Sequence, residues 1–423
     1  CDAGTMFWAR YAALRPTQIV AALPKLANRW TKGYVQDNGI EHALERLIPT
    51  WITYFGGKLA QIISAPKVLP LYFPQYHQIP ENDKFHGEGF TEWTILKPLK
   101  DYPGLMKPLS EEKGGLGYYN LTEKRVRVRQ RELAHAGGVY GFVYYHYWFS
   151  GPKAPINHIV MNRIPEMMIE DGEPALPFMF SWANEPWTRT WDGFENDVLL
   201  SQEYGERDDW VLHFYYLLPF FKHPRYIRIN GKPAFVVYRI GHFKEKLQTI
   251  LSLWNDLAKK NGLDGIYFIN TLGNFMKRDS NTYDVWKKSS VIEGAFQFRP
   301  QIRDPFNQEV DLASKHDITL PSSINTTQYW GAYSSFDARP RRPNASPVRG
   351  SFSPKLFETE LTESFQAMAQ TSTRFVSPNL YFVTAWNEWN EQAVLEPDER
   401  NEFGYLRALK TALETIQCKE FVQ

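Results

Sequence analysis

The chain has 423 residues, of which 43% are hydrophobic and 15% aromatic, so it can bury a large core and is not a disordered protein. Its 48 Lys and Arg residues nearly balance 47 Asp and Glu residues, and a net charge of +1 gives no electrostatic reason to expect nucleic acid as a partner. The longest apolar stretches fall well short of the ~20 residues that span a bilayer, so we expect no membrane-spanning segment.

The chain contains two cysteines, Cys1 and Cys418, which form neither a disulfide framework nor a zinc-like spacing. This usage favours a reducing compartment, and we expect a cytoplasmic protein that partners could bring to a membrane. The chain begins at Cys1 without an initiator Met, and we interpret it as a piece of a longer protein.

Residues 1–66 differ in pattern from the rest of the chain. Ala21–Ile63 shows helix-like apolar spacing with few strand signals, and a Ser-Ala-Pro-Lys segment follows it. We therefore place a domain boundary near Pro66, with a short, mostly helical N-terminal segment before it and a second domain at residues 67–423.

After the boundary, apolar and β-branched runs alternate with helical patterns, which is typical of βα units around a parallel sheet. One predicted helix begins near Asn120 and ends at Gly137-Gly138, and others cover Phe243–Lys260, a segment from Ser353-Pro354 and Glu402–Ile416. The eight predicted strands are Val68–Phe73, Val139–Phe149, Ala175–Trp182, Pro233–Arg239, Gly265–Asn270, Val291–Phe298, Thr326–Trp330 and Asn379–Trp386. This pattern predicts an α/β fold, a (β/α)8 TIM-type barrel with long strand-end loops, rather than an open doubly wound sheet.

In such a barrel the functional groups lie at the carboxyl ends of the strands, and Glu388 and Glu391 follow the last predicted strand. Glycoside chemistry needs one carboxyl group to protonate the leaving oxygen and a second to act as nucleophile or base, roughly 5 to 10 Å away. A spacing of three residues at a strand end can meet that need. The alternative is a pair of exposed loop glutamates.

Aromatic and polar residues also gather at the predicted strand ends. Tryptophans offer flat faces to sugar rings, and their alternative is barrel core. The histidines could donate to sugar hydroxyls or be structural. The candidate substrate-binding residues are Tyr72, His77, Glu92, Trp93, Tyr145, His146, Trp148, Trp182, Asn184, Trp187, Trp191, Trp386 and Trp389.

Asn184-Glu185-Pro186 resembles the Asn-Glu-Pro acid/base signature of many retaining barrel glycosidases, which makes Glu185 a secondary catalytic candidate. Its alternative is a hydrogen-bonded structural carboxylate. The chain has no Gly-x-Gly-x-x-Gly fingerprint, no Asp-x-Asp and no metal-ligand spacing, so we expect neither a cofactor nor a metal.

Several of these segments, taken in order, closely resemble the WbsX-type proteins, a family similar to glycoside hydrolase family 99, the endo-α-mannosidases. The resemblance covers about residues 67–415, and it implies a (β/α)8 barrel that acts on glycans, often encoded with surface-polysaccharide genes and often labelled a glycosyltransferase. The matching segments are Leu69-Pro70-Leu71-Tyr72-Phe73-Pro74-Gln75-Tyr76-His77, Ile79-Pro80-Glu81-Asn82-Asp83, Gly89-Phe90-Thr91-Glu92-Trp93, Trp182-Ala183-Asn184-Glu185, Trp191-Asp192-Gly193, Arg341-Arg342 after Pro340, Ala385-Trp386-Asn387-Glu388-Trp389 and Leu395-Glu396-Pro397-Asp398.

The resemblance implies roles for the two glutamates, because the endo-mannosidases carry both catalytic groups in a Glu-Trp-x-Glu segment. By that match Glu388 removes the proton from a sugar 2-hydroxyl during neighbouring-group participation, and Glu391 is the general acid that later serves as base for water. The departures from the family pattern concern sugar specificity more than the reaction, and they are His86, Pro186, Thr190 and Asn390.

Residues 1–60 resemble the C-terminal end of rhamnan synthesis protein F, a glycosyltransferase-like module. The matching segments are Gly4-Thr5-Met6-Phe7-Trp8-Ala9-Arg10, Ala13-Leu14-Arg15-Pro16 and His42-Ala43-Leu44-Glu45-Arg46. This match implies a parent protein that covalently joins a transferase-like module to the barrel.

The sequence thus predicts a retaining glycoside hydrolase of endo-α-mannosidase type that acts on an oligo- or polysaccharide such as O-antigen. The first alternative is a glycosyltransferase or transglycosylase of polysaccharide biosynthesis that uses the same carboxylates. The second alternative is a non-catalytic glycan-binding module.

Overall fold

The computed structural model describes residues 65–99, 103–189, 194–273, 282–298, 301–304, 309–311, 324, 326–342, 352–370 and 379–417. The described residues from 65 to 416 belong to one compact unit. Nearly all of the predicted N-terminal segment lies outside the described residues, so the boundary near Pro66 and the identity of that segment remain predictions. Trp191 also lies outside them.

Eight parallel strands close into a barrel, which confirms the predicted fold. Each strand pairs with its neighbour in chain order, and the last strand pairs with the first through partners such as Lys67 and Leu380. All eight predicted strands overlap observed ones. The strands are β1 (Lys67–Tyr72), β2 (Phe142–Trp148), β3 (Phe178–Trp182), β4 (Lys232–Val237), β5 (Tyr267–Leu272), β6 (Ile292–Gln297), β7 (Thr327–Tyr333) and β8 (Leu380–Thr384).

The barrel strands are buried on both faces, because side chains alternate between the barrel interior and the surrounding helices. Every residue of β2 is buried, and so is every residue of β8. Such strands are nearly continuous apolar runs in the sequence, which is why their positions could be predicted from composition and length.

Nine helices in the described residues lie between and after the strands. The helix predicted near Asn120 begins later, at Lys124, and ends as predicted before Gly138, whose φ of 80° suits glycine. The helices are α1 (Pro80–His86), α2 (Trp93–Leu96), α3 (Lys124–Gly137), α4 (Arg163–Asp171), α5 (Arg207–Lys222), α6 (Lys246–Lys260), α7 (Thr282–Lys287), α8 (Pro354–Gln370) and α9 (Gly404–Gln417). None of the helices described here is long and apolar enough to cross a membrane.

Short strands and 3-10 helices lie in the loops between the main strands and helices. Paired short strands are Trp187–Arg189 with Phe194–Leu200, Gln301–Asp304 with Glu309–Asp311, and Asn387–Glu388 with Ala393–Val394. Ile159–Val160 pairs with β2, and Arg228–Ile229 pairs with β4. Within the described ranges, the 3-10 helices are Glu111–Lys113, Ile240–Phe243 and Trp389–Glu391.

The segment Asn387–Glu391, here called the glutamate turn, begins three residues after the end of β8 and carries both predicted catalytic carboxylates. The Asn387 side chain ties this turn to the end of β1: its Oδ1 accepts from Phe73 N at 2.8 Å, and its Nδ2 donates to Phe73 O at 3.0 Å. Tyr76 Oη adds a second tie by accepting from Trp389 N at 3.1 Å. The closure of the barrel between β8 and β1 therefore fixes the turn.

Candidate active site

Glu388 and Glu391 lie at the carboxyl end of the barrel and share one cation, Arg341. Arg341 Nη2 is 3.2 Å from Glu388 Oε2, and Arg341 Nε is 3.3 Å from Glu391 Oε1. The guanidinium lies over the ring of Phe73, with Cζ 5.5 Å from the ring centroid. Because one planar group touches both carboxylates, the two glutamates predicted as a pair are held together.

A third carboxylate, Glu92, completes the cluster around Arg341. It is fully buried, and its Oε2 is 3.2 Å from Arg341 Nη2. Asn390 Nδ2 donates to Glu92 Oε2 at 2.5 Å and to Glu92 O at 2.8 Å. Asn390, a departure from the family pattern, therefore links the glutamate turn to the segment before α2.

The two glutamates of the pair have different environments. Glu388 has a side chain 9% exposed, whereas the side chain of Glu391 is 36% exposed. Burial, helped by the charge of Glu391 and opposed by that of Arg341, raises the pKa of Glu388 to about 8. Burial likewise raises the pKa of Glu92, against the opposing charge of Arg341. Such unequal carboxyl groups are typical of acid/base sites.

Four tyrosines interact electrostatically with the glutamate pair. Burial raises the pKa of each phenol, and the charges of Glu388 and of other carboxylates at the site raise it further, so all four remain neutral hydrogen-bond donors at ordinary pH. They are Tyr145, Tyr147, Tyr238 and Tyr333. Tyr145 is among the predicted residues. The half-buried Trp187, also predicted, packs edge-on against Tyr147 at 5.8 Å.

Glu185 is paired with a different arginine. It contacts Arg239 Nη1, and its side chain is 39% exposed. The neighbouring Asn184 is fully buried, with its Nδ2 donating to Tyr204 Oη at 2.7 Å and to Arg239 O at 2.8 Å. The charge of Glu185 acts on Tyr238, as do those of Glu388 and Glu391. Glu185 thus borders the site, in an ion pair of its own.

The side chains of four predicted residues lie on the outer face of the barrel and contact the surrounding helices, not the glutamate pair. Tyr72 Oη donates to Gln130 of α3 at 2.8 Å. His146 Nε2 lies 2.7 Å from His213 Nε2 of α5, and Trp148 stacks on His213 at 4.2 Å. Trp182 stacks on Trp254 of α6 at 6.0 Å. Their placement favours packing roles.

Three further predicted tryptophans are buried near the glutamate turn. Trp93 donates from Nε1 to Tyr119 O at 2.7 Å, Trp386 packs on Phe142, and Trp389 lies 6.0 Å from Trp93. All three are 3% exposed or less, so their faces are covered by protein.

His77 is buried, and its two ring nitrogens have no hydrogen-bond partner among the described residues. Burial, helped by the charge of Arg163, lowers its pKa to about 4, so the imidazole is neutral at ordinary pH. Protein covers both ring nitrogens, so His77 does not present a donor or acceptor at the surface of the site for the predicted contact with a sugar hydroxyl.

Arg341, Tyr147, Tyr238 and Tyr333 were not predicted as site residues. Arg341 belongs to one of the segments that resemble the family, but the resemblance assigned it no role. Its positive charge is the sequence feature that could have indicated a partner for the glutamates. The tyrosines are strand residues or follow strands directly, where aromatic side chains are equally common in a core. Among the described residues, no group of three or more His, Cys, Asp or Glu side chains is arranged to hold a metal ion.

One buried and one partly exposed carboxylate among aromatic side chains, at the carboxyl end of an eight-stranded barrel, form the arrangement expected of a glycoside-active enzyme site. The family comparison agrees: residues 68–409 match the family described as Glycosyltransferase WbsX, and the chain belongs to that family.

Two curated relatives are uncharacterized proteins named WxcX, from two strains of Xanthomonas campestris pv. campestris. Both are 31% identical to this chain, over 381 and 378 residues, which is 83% and 82% of it. The aligned part is 51% and 50% of the relatives, so the chain spans about half the length of the curated relatives it matches.

Solved structures with a similar fold include one described as a glycoside hydrolase-like protein. It has a TM-score of 0.53 and 12% identity, covering 84% of this chain and 95% of that one, and the likeness concerns the fold. A GH99 endo-alpha-mannosidase from Bacteroides thetaiotaomicron has a TM-score of 0.44 and 12% identity, covering 83% of this chain and 97% of that one.

Proposed function

We propose that this chain is a retaining glycoside hydrolase of endo-α-mannosidase type, acting on a surface polysaccharide such as O-antigen through Glu388 and Glu391. The observation that supports it best is the pair itself: two carboxylates of unequal burial share Arg341 at the carboxyl end of the barrel. Family membership supports a glycan as the substrate class.

In the proposed reaction Glu388 is the base. It takes the proton of the sugar 2-hydroxyl while that oxygen attacks the anomeric carbon and the glycosidic bond breaks. A carboxylate whose pKa lies near the working pH is a stronger base than an ordinary glutamate, and burial raises the pKa of Glu388 to about 8.

Glu391 gives its proton to the leaving oxygen in the first step. In the second step it takes a proton from water while the water oxygen attacks the anomeric carbon. The bond between that carbon and the 2-oxygen breaks, and Glu388 returns its proton to the 2-oxygen to regenerate the 2-hydroxyl. The greater exposure of Glu391 supports this role, because the leaving group and the incoming water both need access to it. The proposal needs no cofactor.

Mass spectrometry of mannan and rhamnan oligosaccharides incubated with the full chain tests the proposal. We expect shortened products without any sugar donor, and we expect Glu391→Gln to abolish them. Glu399→Gln is the matched control, because Glu399 is exposed and lies eight residues further along, outside the Arg341 cluster. Absence of any shortened product from the wild-type chain would contradict hydrolysis.

A glycosyltransferase or transglycosylase is the second candidate, favoured by the description of the family. It predicts lengthened products, formed with nucleotide sugars in the case of a transferase and lost in Glu391→Gln. The same oligosaccharide panel with and without nucleotide sugars separates it from hydrolysis.

A non-catalytic glycan-binding module is the third candidate, in which the barrel positions polymer for a covalently linked transferase-like module of the parent chain, of which residues 1–66 would be the C-terminal remnant. It predicts glycan binding without turnover. Binding that is unchanged in Glu391→Gln would support it, because no proton transfer would then be needed.

A further inference from the structure

Glu396 is a buried carboxylate, 1% exposed, that lies behind the glutamate turn. Its Oε2 accepts hydrogen bonds from Tyr119 Oη and from Trp389 Nε1, each at 2.8 Å. Its Oε1 accepts from Gln130 Nε2 of α3 at 2.7 Å. Three donors from three separate segments therefore converge on one carboxyl group.

Two of these partners link Glu396 to the residues on either side of Glu388 in the chain. Trp389 follows Glu388 in the chain, and its indole N–H is held by Glu396. Tyr119 Oη, which donates to Glu396, also accepts from Asn387 Nδ2 at 3.3 Å. Glu396 thus restrains the turn from both sides.

We propose that Glu396 is a positioning residue that sets the geometry of Glu388 and Glu391 through Trp389 and the Tyr119–Asn387 contact. This inference rests on the proposed function only in that the proposed reaction supplies the rate to be measured. The hydrogen bonds through which Glu396 acts do not depend on it. An indole N–H can only donate, so without its acceptor the buried Trp389 must either remain unpaired or turn. A turn of Trp389 displaces the backbone that carries both glutamates.

The network around Glu396 can accept an uncharged replacement. Gln130 can rotate its amide so that Oε1 faces residue 396 and Nε2 faces Tyr72 Oη, which now donates to Gln130 Oε1 at 2.8 Å. Glutamine at position 396 would then keep an oxygen for Tyr119 and Trp389 and donate its N–H to Gln130. Burial raises the pKa of Glu396 to about 7, so the protonated carboxyl can use the same rearrangement.

The kinetic test compares Glu396→Met, which removes the acceptor at similar volume, with Glu396→Gln, which keeps it. We expect Glu396→Met to lower kcat about 30-fold or more with KM nearly unchanged, because small displacements of catalytic groups are that costly. We expect Glu396→Gln to restore kcat to within about 5-fold of wild type, since the acceptor is retained. An equal loss in both variants, or a loss confined to KM, would overturn the proposal.

Trp389→Phe removes the donor of the hydrogen bond between Trp389 and Glu396. It also tests the proposal if Glu396→Met fails to fold. We expect a fall in kcat of about 10-fold and, in the double variant with Glu396→Met, no fall beyond that of Glu396→Met alone, because Glu396→Met already removes the hydrogen bond to Trp389. Wild-type kcat in Trp389→Phe, or additive losses in the double variant, would count against Glu396. Glu399→Gln is the control for a charge loss nearby.

A readout independent of turnover separates this inference from the proposed function. In a spectrum of ¹⁵N-labelled indole groups, the signal missing in Trp389→Phe identifies Trp389. We expect that signal to exchange slowly with solvent in wild type and Glu396→Gln and faster in Glu396→Met. Unaltered exchange in Glu396→Met would refute the positioning role. If wild type shows this signature but no glycan turnover, the proposed function fails and the contact stands.

Discussion

Arg341 is the residue on which the charge balance of the site depends. Its guanidinium touches Glu92, Glu388 and Glu391, each through a nitrogen 3.2 to 3.3 Å from a carboxylate oxygen. Truncating a buried partner of this kind leaves an uncompensated charge, which costs about 3 to 5 kcal/mol. Arginine suits the position because its planar group presents several donors in fixed directions.

Arg341→Lys tests this geometric requirement. A lysine ammonium is a single point charge and cannot reproduce the fixed planar spacing by which Arg341 Nη2 contacts Glu92 and Glu388 while Nε contacts Glu391. We therefore expect kcat/KM to fall about 100-fold although the charge is kept. The measurement is steady-state kinetics on whichever oligosaccharide the wild type cleaves. Arg400→Lys is the matched control, because Arg400 is exposed and its Nη1 is 3.4 Å from Gly104 O. Equal activity of both lysine variants would show that charge alone suffices.

The pH dependence of kcat/KM tests the role of Glu388. Burial raises its pKa to about 8, so a base at this position becomes ionised only as the pH rises through that value. We therefore expect the profile of kcat/KM against pH to have a rising limb as the pH approaches about 8. Were Glu388 the general acid, the profile would instead decline above that pH. If kcat/KM does not change with pH in this range, Glu388 is neither the base nor the acid of the reaction.

At the scale of elements, the glutamate turn depends on the join between β8 and β1. β8 ends at Thr384 and the turn begins at Asn387, whose amide pairs with both backbone groups of Phe73. The chain separation between these residues is 314 positions. The barrel must therefore close before the catalytic pair has a fixed geometry.

Asn387→Ala tests this dependence on the join. The substitution leaves the buried N–H and C=O of Phe73 unpaired, at a cost of about 1 to 3 kcal/mol for each group. We expect the free energy of unfolding in urea to fall by about 2 to 4 kcal/mol, with a larger relative loss of activity. The exposed Asn157 supplies the control, since Asn157→Ala should alter stability by less than about 0.5 kcal/mol. If Asn387→Ala is as stable as the wild type but inactive, Asn387 acts in the site and does not stabilise the join between β8 and β1.

At the scale of the molecule, the described core lies within one compact unit from residue 65 to 416. All eight strands and their pairings belong to it. Family membership also covers this part, through residues 68–409.

We expect a chain of residues 64–417 to fold by itself, because barrel closure needs no pairing outside this range. Near-UV circular dichroism and a cooperative thermal transition are the measurements. The matched control is residues 74–417, which lacks β1 and so loses the pairings of β1 with β2 and β8. If the chain of residues 64–417 fails to unfold cooperatively, residues 1–63 contribute to the fold.

The sequence determined the barrel and the position of the acidic pair. Parallel strands buried on both faces are continuous apolar runs, so all eight could be found from local composition. Glu388 and Glu391 are close in the chain and follow a strand, which placed them at the functional end.

Only the tertiary structure decided which other residues join that pair. Tyr145 and Tyr147 share the electrostatic environment of Glu388, whereas His146 and Trp148, in the same strand, pack on α5, because alternate side chains of a strand point to opposite faces. Arg341 reaches Glu388 from a loop after β7, 47 positions away. Local pattern carries no information about such contacts, since they exist only when the strand ends are brought together by closure of the barrel.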